Sequence, residues 1–404
     1  MKLKINGNIL DKYSNLIVSL IYASACSVFS FDLYFDPWNK LHREIMLPGA
    51  YNEAVIISDS GEVLITGILL SVSFKDSAKR SLVSISGYSK TGVLQDCNYL
   101  EDGNGNIVFP KQANGKNLYS IAQDICGALG LNVITVGNVM SDISSPFAEA
   151  QPDDGDSCLD YLNDIAKKKN IIISHDELGN LVLTRAMDAQ ALFDFTSGMP
   201  GIEFSLNFDG QQMHSSITAK IQGGTSQTVM NPYVQLKSHI NYTQGASQGL
   251  ERTAPKMTGK KQYDKAYRPT AFVQTQGDDN DTDDTAQQAL AKELKAIQIT
   301  GKMTGWELAG KIVRPNNFHT ITSPNMYLFN KTKLFVERVD FSGDERQETC
   351  IMSYVVPEVY NGQLPVNIFT ANGNNTNYKD KPVDEDLPNQ IVFTKFSLQN
   401  NIDL

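Results

Sequence analysis

Short runs of alternating apolar and polar residues fill the first hundred positions. Val83 and Ile85 alternate with Ser84 and Ser86, and Phe29, Phe31, Leu33 and Phe35 share one face. A period of two marks half-buried strands. The pattern predicts strands at Lys2 to Ile5, Leu16 to Tyr22, Val28 to Tyr34, Ala54 to Ile57, Val63 to Ser73 and Ser81 to Ser86, with turns at Asn6-Gly7, Pro48-Gly49 and Ser60-Gly61. To about Cys97 only strands and turns are predicted, and so many short strands at this spacing favour a small antiparallel barrel or sandwich, residues 1–98.

After Gly103-Asn104-Gly105 the period changes. Leu118, Ile121, Ala122, Ile125, Cys126 and Leu129 repeat at three and four, one buried stripe of a helix, and Gly130 supplies its stop. A second helix opens at Asp156 and turns Leu159, Leu162, Ile165 and Ala166 inward; Ile171 to Ser174 and Leu181 to Thr184 form a hairpin around Gly179-Asn180. These residues, 112–200, read as an α/β module.

Strands return at Ile202 to Phe208 and Ser215 to Ile221, followed by a polar insertion, 223–297. Its Asp278 to Asp284 run caps a helix carrying Ala286, Leu290, Ala291, Leu294 and Ile297, because carboxylates complement a helix N-terminus. Further strands are predicted at Thr304 to Leu308, Phe318 to Ile321, Met326 to Leu328, Leu334 to Ser342 and Glu348 to Val355, with a turn at Gly343-Asp344. Residues 201–222 and 298–357 thus make a second β domain, and 358–404 a polar tail. The expected class is β-rich α+β: two small antiparallel β-barrel domains flanking an α/β module.

A chain of 404 residues with 41% hydrophobic and 20% charged residues fits two to four soluble domains, and no apolar run approaches a membrane span. A net charge of −10 and a pI near 5.1 argue against nucleic acid as a direct ligand. The one basic run, Lys167 to Lys169, sits where cations complement a helix C-terminus. Lys2, Lys4, the apolar Leu16 to Tyr22 and Ala23-Ser24-Ala25-Cys26 imitate an export signal, but Asp11 and the alternation after Cys26 favour an N-terminal sheet. The cysteines, Cys26, Cys97, Cys126, Cys158 and Cys350, show no C-x-x-C pair, so no disulfide framework or zinc site is expected and synthesis in a reducing compartment is inferred.

Candidate chemistry fails at each motif. Ser89-Lys90-Thr91 has serines at positions 84 and 89, where a phosphate-binding loop needs glycines, and so reads as a turn. Asp279, Asp281 and Asp283 are spaced like calcium ligands, but Asp284 and Leu290 replace the loop's glycine and bidentate glutamate. Gly245-Ala246-Ser247-Gln248-Gly249 matches G-x-S-x-G without the flanking strand and helix of a nucleophile elbow. His42, His175, His214, His239 and His319 are isolated, with His175 read as part of a solvated turn. Trp306 reads as core. No catalytic residue, cofactor or metal ligand is expected, and the chain reads as non-enzymatic.

Three segments carry a family resemblance. Gly87 to Cys97, with its Lys90-Thr91-Gly92 turn, is followed by Gly115, Leu118, Ile121 and Ala122 in a Gly-x-x-Leu-x-x-Ile-Ala helix start, and then by Gly305-Trp306 and Gly310-Lys311-Ile312-Val313-Arg314-Pro315-Asn316, with Arg268-Pro269 between. In this order they resemble the baseplate hub proteins of Mu-like contractile-tailed phages, the prophage tail P-like family, over roughly residues 1 to 357; Val313 departs from the family's usual aromatic. The resemblance implies a homotrimer whose two barrels per chain form a six-barrel ring. That ring would join the sixfold tail tube, or a tube-initiator protein, to the threefold central spike, among other baseplate proteins. DNA would pass only in transit through the lumen, where an acidic wall repels it. The implied location is the virion's tail baseplate, after synthesis in the host cytoplasm. The alternatives are a tail-associated cell-wall hydrolase and a receptor- or carbohydrate-binding tail protein, for which an exposed aromatic patch is expected. Beyond the resemblance, Ile391, Phe393 and Phe396 are apolar anchors in a polar tail and are expected to add a strand to a neighbouring protein.

Overall fold

Strand Leu328–Gly343, sixteen residues long, organises the molecule. The structure is a computed structural model that describes residues 2–10, 13–76, 82–186, 189–221, 226–234, 268–274, 281–343, 347–361 and 363–369. Along one edge, the first half of Leu328–Gly343 pairs with Phe318–Ser323 and the second half with Tyr13–Ile21; the other edge pairs with Glu348–Val355. The switch falls at an irregularity between Val336 and Arg338, where an extra residue, Glu337, re-aims the strand. The Glu337 carbonyl accepts the Tyr22 N–H at 2.9 Å, and its carboxylate takes Lys295 Nζ at 2.6 Å.

This strand joins both β regions in one 13-stranded sheet. The order is Ile202–Phe208, Ile297–Thr304, Glu348–Val355, Leu328–Gly343, Tyr13–Ile21, Val28–Tyr34, Leu82–Ser89, Val63–Lys75, Glu53–Ile57, Lys2–Ile5 and Asn8–Leu10. Phe318–Ser323 and Phe193–Thr196 branch from it, the two paired in parallel. The two barrels expected from sequence are not seen as closed units: among the described residues the order is open, ending at Ile202–Phe208 and Asn8–Leu10. One apolar core lines the sheet from Leu3 to Val356, and an aromatic cluster of Tyr22, Phe318, Phe335 and Tyr360 fills the seam.

Helix Leu118–Ala128 begins where Asn117 Oδ1 accepts the Ser120 N–H at 2.8 Å, and it buries the stripe read from sequence. Helix Cys158–Lys167 opens one residue beyond Ser157, whose hydroxyl and Asp160 form a capping box. Both pack on a three-stranded sheet in which Leu181–Thr184 lies between Val133–Val136 and Ile172–His175.

Several expectations are corrected. Residues 1–98 are not strands alone: Asn39 caps a short helix, Lys40–Ile45, and a 3-10 turn, Lys90–Gly92, leads into helix Val93–Asp96. Gly305, at φ +82°, ends strand Ile297–Thr304 where a strand from Thr304 to Leu308 was expected. Met326 belongs to a 3-10 turn, Pro324–Met326. Ser216–Ile221 leaves the large sheet and pairs with Ser226–Met230 and Pro269–Gln274, under helix Asp281–Leu294. The G-x-S-x-G run, His239, Asp279 and the anchors Ile391, Phe393 and Phe396 lie outside the described residues.

Candidate functional site

Two of the segments that carry the family resemblance, Gly87 to Cys97 and Gly310 to Asn316, reach one junction between the large sheet and the α/β module. Strand Leu82–Ser89 enters it past Gly87, where Phe29 of the neighbouring strand lies across the backbone. A Cβ at Gly87 would stand 2.7 Å from Phe29 Cζ and overlap the Ile68 carbonyl oxygen; at Gly67 it would stand 2.6 Å from Phe29 Cε1 and overlap the Tyr88 carbonyl oxygen. Two glycines thus make room for one ring.

The Ser89-Lys90-Thr91-Gly92 turn then fastens onto loop residues 24–27. Ser89 Oγ accepts the Ser27 N–H at 3.1 Å and donates to the Ala25 carbonyl at 3.3 Å, and Thr91 Oγ1 donates to the same carbonyl. Both side chains are buried, while Lys90 pairs with Glu53. The hydroxyls and the lysine are engaged by protein groups, in keeping with a structural turn rather than an anion cradle.

His175 grips the same loop from the module side, its Nδ1 2.9 Å from the Ser24 carbonyl. It is half-buried at a strand end rather than in the solvated turn expected, and burial pushes its pKa down. Gly179, in the hairpin that His175 opens, lies so close to the Lys90 stem that a Cβ would come within 2.9 Å of Lys90 Cβ.

Arg314, from the Gly310 to Asn316 run, closes the third side. One guanidinium nitrogen donates to the Val63 carbonyl at 2.7 Å and lies 3.4 Å from Glu62; another is 4.0 Å from Glu177 of the module. These groups border a cavity of about 200 Å³, lined among others by Leu20, Tyr22, Leu64, Ser174 and His175. The arrangement holds three parts of the chain together, and sequence reasoning gave Arg314 and loop 24–27 no such role. The only advance signal was the small-residue run Ala23-Ser24-Ala25, which lets two partners approach one backbone. Arg314→Ala is expected to lower stability by about 1–2 kcal/mol, and Arg314→Lys to restore little of it, because an ammonium cannot span the carbonyl and both carboxylates. Urea unfolding curves check this; an unchanged midpoint for Arg314→Ala would show that the contacts are incidental.

A larger recess of about 630 Å³ borders helix Leu118–Ala128. Several of its polar groups are engaged locally: Lys116 Nζ reaches Asp124 at 2.6 Å, and Asp102 accepts the N–H groups of Asn104 and Asn106 at 2.8 Å each. Among the described residues no three His, Cys, Asp or Glu side chains are grouped to hold a metal ion, and no helix is long and apolar enough to cross a membrane.

The family described as "Baseplate hub protein gp44-like, second domain" matches residues 91–185, the module together with the turn that fastens it. The fold is similar to that of the prophage MuSo2 43 kDa tail protein of Shewanella oneidensis, at 20% identity and a TM-score of 0.67, covering 89% of this chain and 98% of that one. It is also similar to a tail protein of Neisseria meningitidis, at 13% identity and a TM-score of 0.68, covering 89% and 97%. An Escherichia coli component of the type VI secretion system, described as structurally similar to T4 tail proteins gp27 and gp5, matches at 8% identity and a TM-score of 0.51, covering 91% and 80%. No curated protein sequence matches the chain. At these identities the solved structures speak to fold alone: the chain shares the fold of prophage tail proteins, and its residues 91–185 match the second domain of a baseplate hub family.

Proposed function

We propose that the chain is a non-enzymatic, trimeric adaptor that joins the tail tube to the central spike and surrounds a channel for DNA. One observation carries this reading: each chain holds two β regions side by side in a single sheet, through Arg338–Gly343 against Leu16–Ile21, while among the described residues the ends of the sheet stay open. A seam that joins two β regions within a chain is a geometry that neighbouring chains can repeat at the open ends, so that three chains close a ring of six β regions. The net charge of −10 suits a wall past which DNA slides without binding.

Light scattering of the purified chain is expected to give about 134 kDa, three times the 44.6 kDa of one chain. A mass of one chain at every concentration would overturn the ring. It would shift the reading toward receptor binding through the loop between Val28–Tyr34 and Glu53–Ile57, where Trp38 is 87% and Tyr51 65% exposed.

The tail forms a second contact in this proposal, with Ile391, Phe393 and Phe396 anchoring an added strand on a neighbouring baseplate protein. Phe369 packs on Phe208 and Tyr233, with ring centroids 5.9 and 6.0 Å away. A deletion should therefore begin after residue 370 so that the body is untouched. Removing residues 371–404 is expected to keep the trimer mass and weaken capture of the chain's baseplate neighbours at least tenfold; capture at full strength would discard the tail's role.

A further inference from the structure

Four of the five cysteines fall in the region where the module meets the sheet, and two of them lie on adjoining backbone. Cys97 follows helix Val93–Asp96, and Cys158 is the first residue of helix Cys158–Lys167. The Cys158 N–H donates to the Cys97 carbonyl at 2.8 Å, and two residues earlier Gln95 Nε2 reaches Ser157 Oγ at 3.3 Å. A backbone bond of that length brings the two Cα atoms into the roughly 4.4–6.8 Å range that a disulfide spans. Cys97 is half-buried and within reach of a small reagent, whereas Cys158 and its neighbour Cys126 are fully buried. All five cysteines are free thiols here.

We propose that Cys97 and Cys158 are a latent disulfide pair, reduced while the chain is made and joined when the protein meets a low-molecular-weight disulfide in oxidising surroundings. The Cys97 thiol gives its proton to solvent and its sulfur attacks the small disulfide, forming a mixed disulfide and releasing one small thiolate, which takes up a proton. The Cys158 thiol then loses its proton and attacks Cys97 Sγ, expelling the second small thiol. Two protein thiols are oxidised and one small disulfide is reduced to two thiols. The bond closes a loop over the residues between 97 and 158 and fastens the turn that leaves the sheet to the module's central helix. Burial pushes the Cys158 thiol up to about 12, with the Cys97 sulfur adding to the shift, and burial followed by Asp96 raises Cys97. The reaction is therefore slow near neutrality and accelerates as pH rises, because the thiolate is the attacking species.

The test treats the full-length folded chain with oxidised glutathione, quenches with N-ethylmaleimide, and maps peptides without reduction. Trypsin is combined with an aspartate-directed protease, which separates Cys126 from Cys158. The expected product is one cross-linked pair containing Cys97 and Cys158, formed faster at higher pH, together with a melting temperature raised by several degrees. Neither change should occur in Cys97→Ser, and both should persist in Cys126→Ser. Glutathione left on Cys97 alone, a bond to Cys126 or Cys26, or a Cys97–Cys158 bond that forms only in urea would overturn the proposal. The chemical readout on the unmodified sequence decides the matter even if a variant fails to fold, and it does not depend on whether the chain forms a trimer.

Discussion

Gly87→Val is expected to abolish the folded sheet, leaving insoluble protein or a chain destabilised by at least about 3 kcal/mol. The new Cβ would overlap the Ile68 carbonyl oxygen and stand 2.7 Å from the Phe29 ring. The ring could swing away, but the carbonyl belongs to the paired backbone of Val63–Lys75 and cannot move without separating strands. Trimming the ring with Phe29→Ala should therefore fail to rescue Gly87→Val. Gly127→Ala is the control, since no atom lies within 4 Å of a Cβ there and the position is helical; it should be neutral or slightly stabilising. Soluble yield and circular dichroism melting measure all three, and a native melting temperature for Gly87→Val would show that the Ile68 carbonyl does not close off a Cβ at this position.

Acid is expected to weaken the fold between pH 6.5 and 4 through His319. This side chain is 1% exposed, with Nδ1 2.9 Å from the Tyr354 hydroxyl and the rings of Phe193 and Phe195 set edge-on at 5.2 and 5.5 Å. Burial lowers its pKa from 6.5 to about 4. Across that window the unfolded chain binds the proton and the folded chain does not. Stability is complete above about pH 6.5, falls as pH drops, and is reduced by about 3 kcal/mol below pH 4. His175, also lowered by burial, acts in the same direction. Glu348 and Glu358, raised by burial, act in the opposite sense toward the acid end, so the comparison with a variant carries the test. His319→Gln should flatten the acid limb of a urea-midpoint profile, and a limb as steep as in the native chain would assign the effect elsewhere.

The parts of this fold that were legible in the sequence are those whose signal is local. Period-two runs marked the strands around Phe29 and Val83, and the three-and-four spacing from Leu118 to Cys126 marked a helix whose stripe is buried. Boundaries failed where one residue serves two periods: Leu294 and Ile297 are three apart, so a helical reading ran on into a strand that begins at Ile297. The six-residue helix Lys40–Ile45 is too short to show a stripe and is fixed by its Asn39 cap. What stayed hidden is non-local. Nothing near Phe341 announces that it will pair with Val18, and nothing near His175 points to the Ser24 carbonyl. Hence the motifs of the junction could be found by their order along the chain, whereas Arg314 as its clasp could not.

The seam between the two β regions also governs how the molecule is made. Residues 16–21 leave the ribosome early, yet the strand segment that covers their edge, 338–343, comes more than three hundred residues later. At roughly 5–20 residues per second, that edge waits on the order of 15–60 s with its N–H and C=O groups unpaired. A nascent chain in this state can bond to the same edge of another nascent chain. Until Arg338 arrives, the first β region depends on chaperones or on dilution for its solubility, and an N-terminal fragment ending before the seam should aggregate where the full chain does not.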